Sequence, residues 1–274
     1  MKVSAVLKEA SARLEGSQGA AVANIEARAL LSHALAVDRA WLIAHSCDSM
    51  APASLSKFEN MLERRLKGEP VAYILGFREF YGENFKVSNA VLIPRPETEL
   101  LVDLVIERIP ENGKVLDLGT GSGAIAVTIA RQRKHAKVKA VEKSSAALAV
   151  ACENGKGLPN LLFLESDWFD ALHGEKFDFI VSNPPYIAEG DRHLGDLKYE
   201  PALALTSGKD GLDAIRKIIS EAPFHLEKGG WLLFEHGYDQ GESCRNLLSG
   251  AFSGVNTWKD LSGLERVSGG RLTG

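Results

Sequence analysis

The tetrapeptide Asn183-Pro184-Pro185-Tyr186 directly follows FDFIVS, an apolar run typical of a buried strand. Two successive prolines end such a strand and remove two backbone N–H donors, which leaves carbonyl oxygens as acceptors. The Asn183 side chain adds an acceptor oxygen, and Tyr186 adds a flat aromatic face. This set suits a planar –NH2 group conjugated to a carbonyl or a ring, with its two hydrogens directed at Asn183 Oδ1 and the Pro184 carbonyl. A proline turn that merely ends the strand is the alternative.

A glycine-rich segment, DLGTGSG, joins the predicted strand KVLDLG to the predicted helix AIAVTIARQR. Glycines let the backbone approach a ligand closely and adopt conformations that a Cβ atom would forbid. The segment also satisfies the G-x-G-x-x-G/A pattern, so a dinucleotide remains a competing ligand at this point. The residues that we expect at a ligand here are Asp117, Gly119, Thr120, Gly121, Ser122 and Gly123.

Two other predicted strands end in groups that can recognise a nucleoside. Glu142 lies 25 residues after Asp117, and its carboxylate can accept hydrogen bonds from both ribose hydroxyls. Ribose recognition serves NAD and S-adenosylmethionine equally, so Glu142 does not decide between them. Asp167 and Trp168 follow the strand LLFLES; the indole can stack on adenine and the carboxylate can accept from an exocyclic amine. An exposed strand-end acid and a core tryptophan are the corresponding structural alternatives.

These segments need a scaffold that brings the ends of separate strands together. From Lys114 onward, predicted strands alternate with predicted helices, which indicates an α/β fold with a doubly wound, parallel sheet. Ligands bind at the carboxyl ends of the strands in such sheets. Residues 1–70 show apolar residues at helical spacing and predict a helical domain, with Asn24 as the N-cap of IEARALLSHAL. Residues 71–95 are rich in aromatic and β-branched residues and predict a β-hairpin linker to a domain over residues 96–274.

Composition excludes several classes of protein. The chain has 274 residues, a formal net charge of −4 and only 3 Cys, so a disulfide framework and a strongly basic nucleic-acid-binding surface are not expected. Residues 1–70 carry nine Lys or Arg and eight Asp or Glu, which leaves 23 and 28 for the remainder. No apolar run of 18 residues and no signal peptide is found, so we expect a cytoplasmic protein without a membrane partner.

In their order along the chain, DLGTGSG, Glu142 and NPPY resemble the class I S-adenosylmethionine-dependent methyltransferases that modify planar nitrogen atoms. The segments GEPVAYILGFREFYG, LIPRPETELLVD, YEPALAL, GKDGLDAIRKII, FEHGYDQ and KDLSGLER narrow the resemblance to the HemK/PrmC family, the peptide chain release factor glutamine methyltransferases. The resemblance runs from about residue 68 to the C-terminus, and the N-terminal part matches in length and type. Glu142 stands where many relatives carry Asp, which preserves the carboxylate.

The resemblance implies a seven-stranded, mostly parallel sheet preceded by a small helical bundle. It also implies methyl transfer from S-adenosylmethionine, leaving S-adenosylhomocysteine, to the side-chain nitrogen (N5) of the glutamine in the Gly-Gly-Gln motif of class 1 release factors, which modulates translation termination. We expect no metal, no direct nucleic-acid partner and a monomer. The implied cofactor-binding residues are Asp117, Gly119, Thr120, Gly121, Ser122, Gly123, Glu142, Asp167, Trp168 and Asn183. The implied substrate-binding residues are Asn183, Pro184, Pro185, Tyr186, Arg95, Pro96, Glu97 and Thr98.

An amide nitrogen is a poor nucleophile that no ordinary side-chain base can deprotonate, so catalysis has to rest on proximity and electrostatics. Our hypothesis is that Asn183 Oδ1 and the Pro184 carbonyl accept the two amide hydrogens while Tyr186 packs on the amide face. These three residues are the candidate catalytic residues, without a general base. For residues 95–98, a junction that only starts a helix is the alternative, with Glu97 or Thr98 at the helix start.

Four other functions stay open on the sequence. A ribosomal-protein glutamine methyltransferase and a nucleic-acid adenine-N6 methyltransferase use similar chemistry, but the charge balance disfavours a nucleic-acid substrate. A nicotinamide-dependent oxidoreductase leaves NPPY without a role. A non-catalytic binding protein is disfavoured by the intact Asn183 and glycine loop. We expect the N-terminal helices to dock the protein substrate, the alternative being a module that only stabilises the catalytic domain.

Overall fold

The computed structural model describes residues 1–273, except for the side chains of residues 17 and 18. The chain divides into two compact units, Met1–Phe77 and Arg78–Gly274. None of the helices in the described part of the chain is long and apolar enough to cross a membrane.

The first unit is a helical bundle with its own apolar core. Buried side chains of the predicted helical stripes, including Leu30, Leu31, Phe58 and Leu62, pack in this core. Ala27, Leu30 and Ala34 follow one another at spacings of three and four residues, and Phe58 and Leu62 are four residues apart, which places each set on one face of its helix. The helices are α1 (Val3–Gln18), α2 (Ala20–Leu35), α3 (Arg39–Ala44), α4 (Pro52–Leu66) and α5 (Val71–Leu75).

The start of the second helix differs from the prediction. Asn24 is not an N-cap, because α2 begins at Ala20, directly after Gly19. The Asn24 side chain instead accepts a hydrogen bond from Arg28 Nε at 2.7 Å, one turn further along the helix. The segment AAVA before Asn24 has high helix propensity, so the helix begins earlier than predicted. Gly19, with φ of 79°, separates it from the preceding helix.

The predicted hairpin over residues 71–95 is shorter than expected. Val71–Leu75 form the helix α5, which follows Pro70 and ends at Gly76 with φ of 82°. Tyr73 and Ile74 are buried, so packing overrides the strand preference of their aromatic and β-branched side chains. The hairpin consists of β1 (Phe77–Phe80) and β2 (Glu83–Lys86), and a segment without regular structure runs on to residue 95.

The second unit has a mostly parallel sheet of seven strands within the described residues. Its strands are β3 (Lys114–Leu118), β4 (Lys137–Glu142), β5 (Leu161–Glu165), β6 (Phe177–Ser182), β7 (Leu226–Glu235), β8 (Phe252–Lys259) and β9 (Glu265–Leu272). The spatial order is β5-β4-β3-β6-β7-β9-β8, with β9 antiparallel to both of its neighbours. This confirms the predicted α/β fold class.

Helices cover both faces of this sheet because its strands are apolar on both sides. Val115 and Phe179 belong to one apolar cluster, whereas the adjacent residues Leu116 and Ile180 belong to the other, as the two-residue period of a strand requires. The helices are α6 (Glu99–Arg108), α7 (Ala124–Gln132), α8 (Ser145–Asn154), α9 (Asp213–Glu221) and α10 (Gly241–Leu248).

The strand order reverses direction at the middle of the sheet. The chain proceeds from β3 outward through β4 and β5, and then returns to place β6 on the other side of β3. Such a switch point opens a crevice at the carboxyl ends of the two central strands. The glycine loop follows β3 and NPPY follows β6, so the topology brings these two segments to one crevice.

Candidate active site

A cavity of about 550 Å³ lies at this crevice and collects most of the predicted site residues. Of the predicted residues, those that line it are Arg95, Thr98, Gly119, Thr120, Gly121, Ser122, Glu142, Asp167, Trp168, Asn183, Pro184 and Pro185. Five others in the described chain do not line it: Pro96, Glu97, Asp117, Gly123 and Tyr186. The cavity is therefore built by segments that are far apart in sequence and that meet only in the folded sheet.

The glycine loop takes a conformation that its glycines make possible. Gly121 has φ of 56°, in the left-handed region that side chains with a Cβ rarely adopt. Gly123 has φ of 82°, and a Cβ there would come within 3.3 Å of Ala151, so it also permits close packing against α8. The Gly123 position thus anchors the loop, while Gly119 and Gly121 present backbone atoms at the cavity.

Glu142 joins the end of β4 to the glycine loop. Its Oε2 accepts a hydrogen bond from the Gly121 amide at 2.9 Å, and its Oε1 accepts one from the Ser144 amide at 2.9 Å. The carboxylate is 9% exposed and lines the cavity. Since each carboxylate oxygen can accept a second hydrogen bond, Glu142 can hold two hydroxyl groups of a ligand while it keeps the loop in place.

Asp117 lies beneath the loop and is fully buried. Its Oδ2 accepts a hydrogen bond from the Thr120 hydroxyl at 2.6 Å. Burial raises the pKa of Asp117 to about 7, and the nearby Glu142 charge adds to this, against the opposing effects of the Thr120 hydroxyl and the Ala126 backbone. Through the Thr120 hydroxyl this buried carboxyl group supports the loop.

Asp167 and Trp168 form one wall of the cavity. Trp168 has φ of 54°, and its ring lies 3.7 Å from the position of a Cβ built on Gly119. The Asp167 carboxylate accepts a hydrogen bond from Lys143 Nζ at 2.6 Å, and Lys217 Nζ lies 3.9 Å from its other oxygen. Sequence reasoning missed these two lysines, which come from segments after β4 and within α9.

The orientation of the Asn183 amide is defined by its neighbours. Asn183 Nδ2 donates a hydrogen bond to Thr98 Oγ1 at 3.1 Å. Its Oδ1 is buried and has no hydrogen-bond partner within the described part of the chain. Asn183 also lines the cavity, which makes this unpartnered oxygen a candidate acceptor for a ligand N–H group.

Glu235 is a site residue that sequence reasoning missed. It ends β7, its side chain is buried, and its Oε2 accepts a hydrogen bond from Thr98 Oγ1 at 2.6 Å. Its Oε1 accepts one from the Tyr186 hydroxyl at 3.1 Å. Burial raises the pKa of Glu235, which the Thr98 hydrogen bond and the positive charge of Arg266 counteract. An acidic residue at the end of the apolar run GGWLLFE was the available signal.

Tyr186 is held beside the cavity and not in its wall. The hydrogen bond to Glu235 directs its hydroxyl toward the interior. Burial and the Glu235 charge raise the pKa of Tyr186, so the phenol stays protonated and acts as a donor. The packing of its ring on a substrate amide remains a prediction.

The segment around Arg95 is tied to the YEPALAL segment. Arg95 forms an ion pair with Glu200, whose other oxygen accepts a hydrogen bond from the Ile93 amide at 3.0 Å. Pro96 and Glu97 are exposed and begin the short 3₁₀ helix Pro96–Thr98, which leads into α6. The two segments therefore hold each other at the cavity, and Thr98 is the residue of the PET turn that reaches the site.

Two protein-family models match the chain, one in each unit. A family model described as the PrmC N-terminal domain matches residues 5–76, and one described as the methyltransferase small domain matches residues 96–196. A release factor glutamine methyltransferase of Xylella fastidiosa is 48% identical over 277 residues, which cover 98% of this chain and 98% of that protein. The protein of the same description from Neisseria gonorrhoeae is 49% identical over 253 residues, with 90% and 93% covered.

Solved structures show the same fold at lower identity. A methyltransferase from Pyrococcus furiosus has a TM-score of 0.55 and 21% identity, with 79% of this chain and 99% of that chain covered. A 16S rRNA N2 G1207 methyltransferase of T. thermophilus, solved with AdoMet and guanosine, has a TM-score of 0.51 and 22% identity, with 72% and 49% covered.

Proposed function

The chain belongs to the release factor glutamine methyltransferase family, and we propose that it transfers a methyl group from S-adenosylmethionine to the side-chain nitrogen (N5) of the glutamine in the Gly-Gly-Gln motif of class 1 peptide chain release factors. The observation that carries the proposal is the Asn183 amide, whose Oδ1 is left without a partner at the cavity while its Nδ2 is bound to Thr98. An acceptor in this setting selects for a donor such as a primary amide.

The residues of the cavity fit the methyl donor. The glycine loop presents backbone groups in a positive-φ conformation that residues with a Cβ rarely adopt, Glu142 has acceptor capacity for two ribose hydroxyls, and Trp168 offers an aromatic face for adenine. Asp117 retains a buried oxygen without a hydrogen-bond partner among the described residues. When bound, S-adenosylmethionine supplies a methyl group on a positively charged sulfur. We propose the glycine loop, Glu142, Asp167 and Trp168 as the groups that hold it.

Catalysis in this proposal is performed by positioning. Asn183 Oδ1 and the Pro184 carbonyl accept the two hydrogens of the substrate amide, which orients the weakly nucleophilic nitrogen. As that nitrogen gains positive charge, its hydrogens become stronger donors, so the two acceptors bind the transition state more tightly than the ground state. Tyr186 packs beside the amide, and the proton leaves to water after transfer. No side-chain base is required at any step.

The N-terminal unit has a separate role in the proposal. Its charge is nearly balanced and its fold is a compact helical bundle, which suits a protein surface better than a phosphate backbone. We propose that residues 1–70 dock the release factor, that the enzyme works as a monomer, and that it acts in the cytoplasm, where its substrate functions. Nucleic acid is not a direct partner in this proposal.

A labelling experiment tests the proposed function. Purified enzyme is incubated with methyl-labelled S-adenosylmethionine and either a class 1 release factor or its variant with alanine for the motif glutamine. Label is expected on the unaltered factor alone. Label on both factors, or on neither, contradicts the proposal. A parallel reaction with DNA and RNA tests the alternative of a nucleic-acid adenine-N6 methyltransferase. A reaction with ribosomal proteins tests the alternative of a ribosomal-protein glutamine methyltransferase.

A further inference from the structure

Glu235 lies next to the NPPY segment because the strand that it ends, β7, pairs with β6. In the parallel register Ser182 is opposite Phe234, so Asn183 leaves one strand where Glu235 ends the other. Glu235 is 1% exposed, and each of its two oxygens accepts one hydroxyl hydrogen, from Thr98 at 2.6 Å and from Tyr186 at 3.1 Å. One buried carboxylate therefore contacts groups from two separate segments of the site.

The direction of these hydrogen bonds follows from a count of hydrogens. A threonine hydroxyl has one hydrogen, and a carboxylate can only accept, so the Thr98 hydrogen lies on the bond to Glu235. The Thr98 oxygen can then only accept from Asn183. The group of Asn183 that faces Thr98 must be the –NH2 end, and Oδ1 is left for the cavity. Without an acceptor at position 235, the hydroxyl hydrogen of Thr98 can turn toward Asn183. The Asn183 amide can then rotate so that Oδ1 accepts from Thr98 and the –NH2 end takes the position that Oδ1 held.

We propose that Glu235 is a positioning residue: through the Thr98 hydroxyl it sets the orientation of the Asn183 amide, so that an acceptor and not a donor meets the substrate –NH2 group. This inference rests on the proposed function for the identity of that –NH2 group. The orientation itself belongs to the chain and can be measured without substrate. Tyr186, held by the other Glu235 oxygen, is the second group that the same carboxylate keeps in place.

The first test replaces the carboxylate with an apolar side chain of similar length. Glu235→Met removes both acceptors, and we expect kcat to fall about tenfold or more while KM for the release factor and the affinity for S-adenosylhomocysteine change little. Glu235→Gln offers one acceptor oxygen for two hydroxyl donors, so we expect a smaller fall in kcat. The control is Glu265→Met, which removes a half-buried carboxylate bound to Arg245 and outside the cavity wall, and should leave kcat unchanged. Wild-type kcat in either folded Glu235 variant overturns the inference.

The second test asks whether Glu235 acts through Thr98. Thr98→Val deletes the hydroxyl with little change in shape and is expected to lower kcat, whereas Thr98→Ser keeps the hydroxyl and is expected to retain it. In the Thr98→Val background only the hydrogen bond from Tyr186 is left for Glu235→Met to remove, so the second substitution should lower kcat clearly less than it does in the unaltered chain. Full additivity of the two losses would show that Glu235 acts by another route and would contradict the inference.

The third test is independent of the reaction. The side-chain 15N–1H signals of Asn183, assigned by their loss in Asn183→Ala, report whether one amide hydrogen is bound to Thr98. In the unaltered chain without ligands, we expect one Asn183 amide hydrogen to be shifted downfield and protected from exchange with water. In Glu235→Met we expect this shift and protection to be lost, while an unchanged melting temperature shows that the variant is folded. Identical signals in both proteins overturn the inference. If instead the signals differ as expected but the unaltered enzyme methylates no release factor, the proposed function fails and the positioning role stands.

Discussion

The carboxylate of Glu142 accepts a hydrogen bond from the Gly121 amide at 2.9 Å, and this contact fastens the glycine loop after β3 to the end of β4. The same carboxylate also accepts from Ser144 and lines the cavity. One side chain thus supports the loop and presents acceptor oxygens at the cavity, where we propose that a ribose binds. Loss of this carboxylate should weaken cofactor binding more than it slows methyl transfer.

We therefore expect Glu142→Ala to weaken binding of S-adenosylmethionine by about tenfold to a hundredfold, because hydrogen bonds to a charged group are lost. Isothermal titration with S-adenosylhomocysteine measures the change. Glu165→Ala is a matched control, since Glu165 is exposed and lies opposite Glu142 on the neighbouring strand β5. Equal losses in the two variants, or none in Glu142→Ala, would refute the assignment.

Asn183→Ala should separate catalysis from cofactor binding. In the proposed mechanism the amide oxygen is an acceptor that binds most strongly in the transition state, so we expect its removal to lower kcat by about 10² to 10³. Affinity for S-adenosylhomocysteine should stay within a few-fold of the original. Asn246→Ala, at an exposed position on α10, is the control. Methyl transfer by Asn183→Ala at the rate of the unaltered enzyme is incompatible with the proposed mechanism.

Trp168 should report cofactor binding by fluorescence. It is the one tryptophan of the described residues that lines the cavity; Trp231 and Trp258 lie on β7 and β8, and Trp41 lies in the helical unit. We expect intrinsic fluorescence to change when S-adenosylhomocysteine binds, because an adenine that stacks on the indole alters its environment. Trp168→Phe should abolish the change and Trp258→Phe should retain it. A change that survives Trp168→Phe would remove Trp168 from the adenine site.

Asp117 should make stability depend on pH in a defined direction. Its folded-state pKa of about 7 lies above the ordinary value of 3.8, so the folded protein holds this proton more tightly than the unfolded chain. The contribution of Asp117 to the free energy of unfolding is therefore largest below pH 4 and falls as the pH rises to about 7. Asp117→Asn lacks this proton, so its stability relative to the unaltered protein should increase across that interval and then level off.

Urea denaturation without cofactor at a series of pH values measures this difference. The two proteins are compared at each pH, so that other titrating groups cancel. Parallel stability curves between pH 4 and pH 7 would show that Asp117 is not perturbed as described.

Much of the fold and most of the site followed from local patterns. Apolar strands alternating with helices indicate a parallel sheet, and segments at the ends of such strands must share one edge, which is why DLGTGSG and NPPY were expected together. Local predictions failed where packing overrode a strand preference and where the start of a helix was placed too late. Val71–Leu75 form a helix despite strand-like side chains, and Asn24 lies within α2 because the helix extends back to Gly19.

By itself the sequence determined which chemical groups are available: an amide oxygen followed by two prolines, a glycine-rich turn, and a carboxylate at the next strand end. Only the tertiary structure decided how the amide is oriented. That orientation depends on Thr98 and Glu235, which are 137 residues apart, and on the pairing of β6 with β7. A hydrogen bond between such distant residues leaves no periodic or local signal, because its geometry exists only once the sheet has formed.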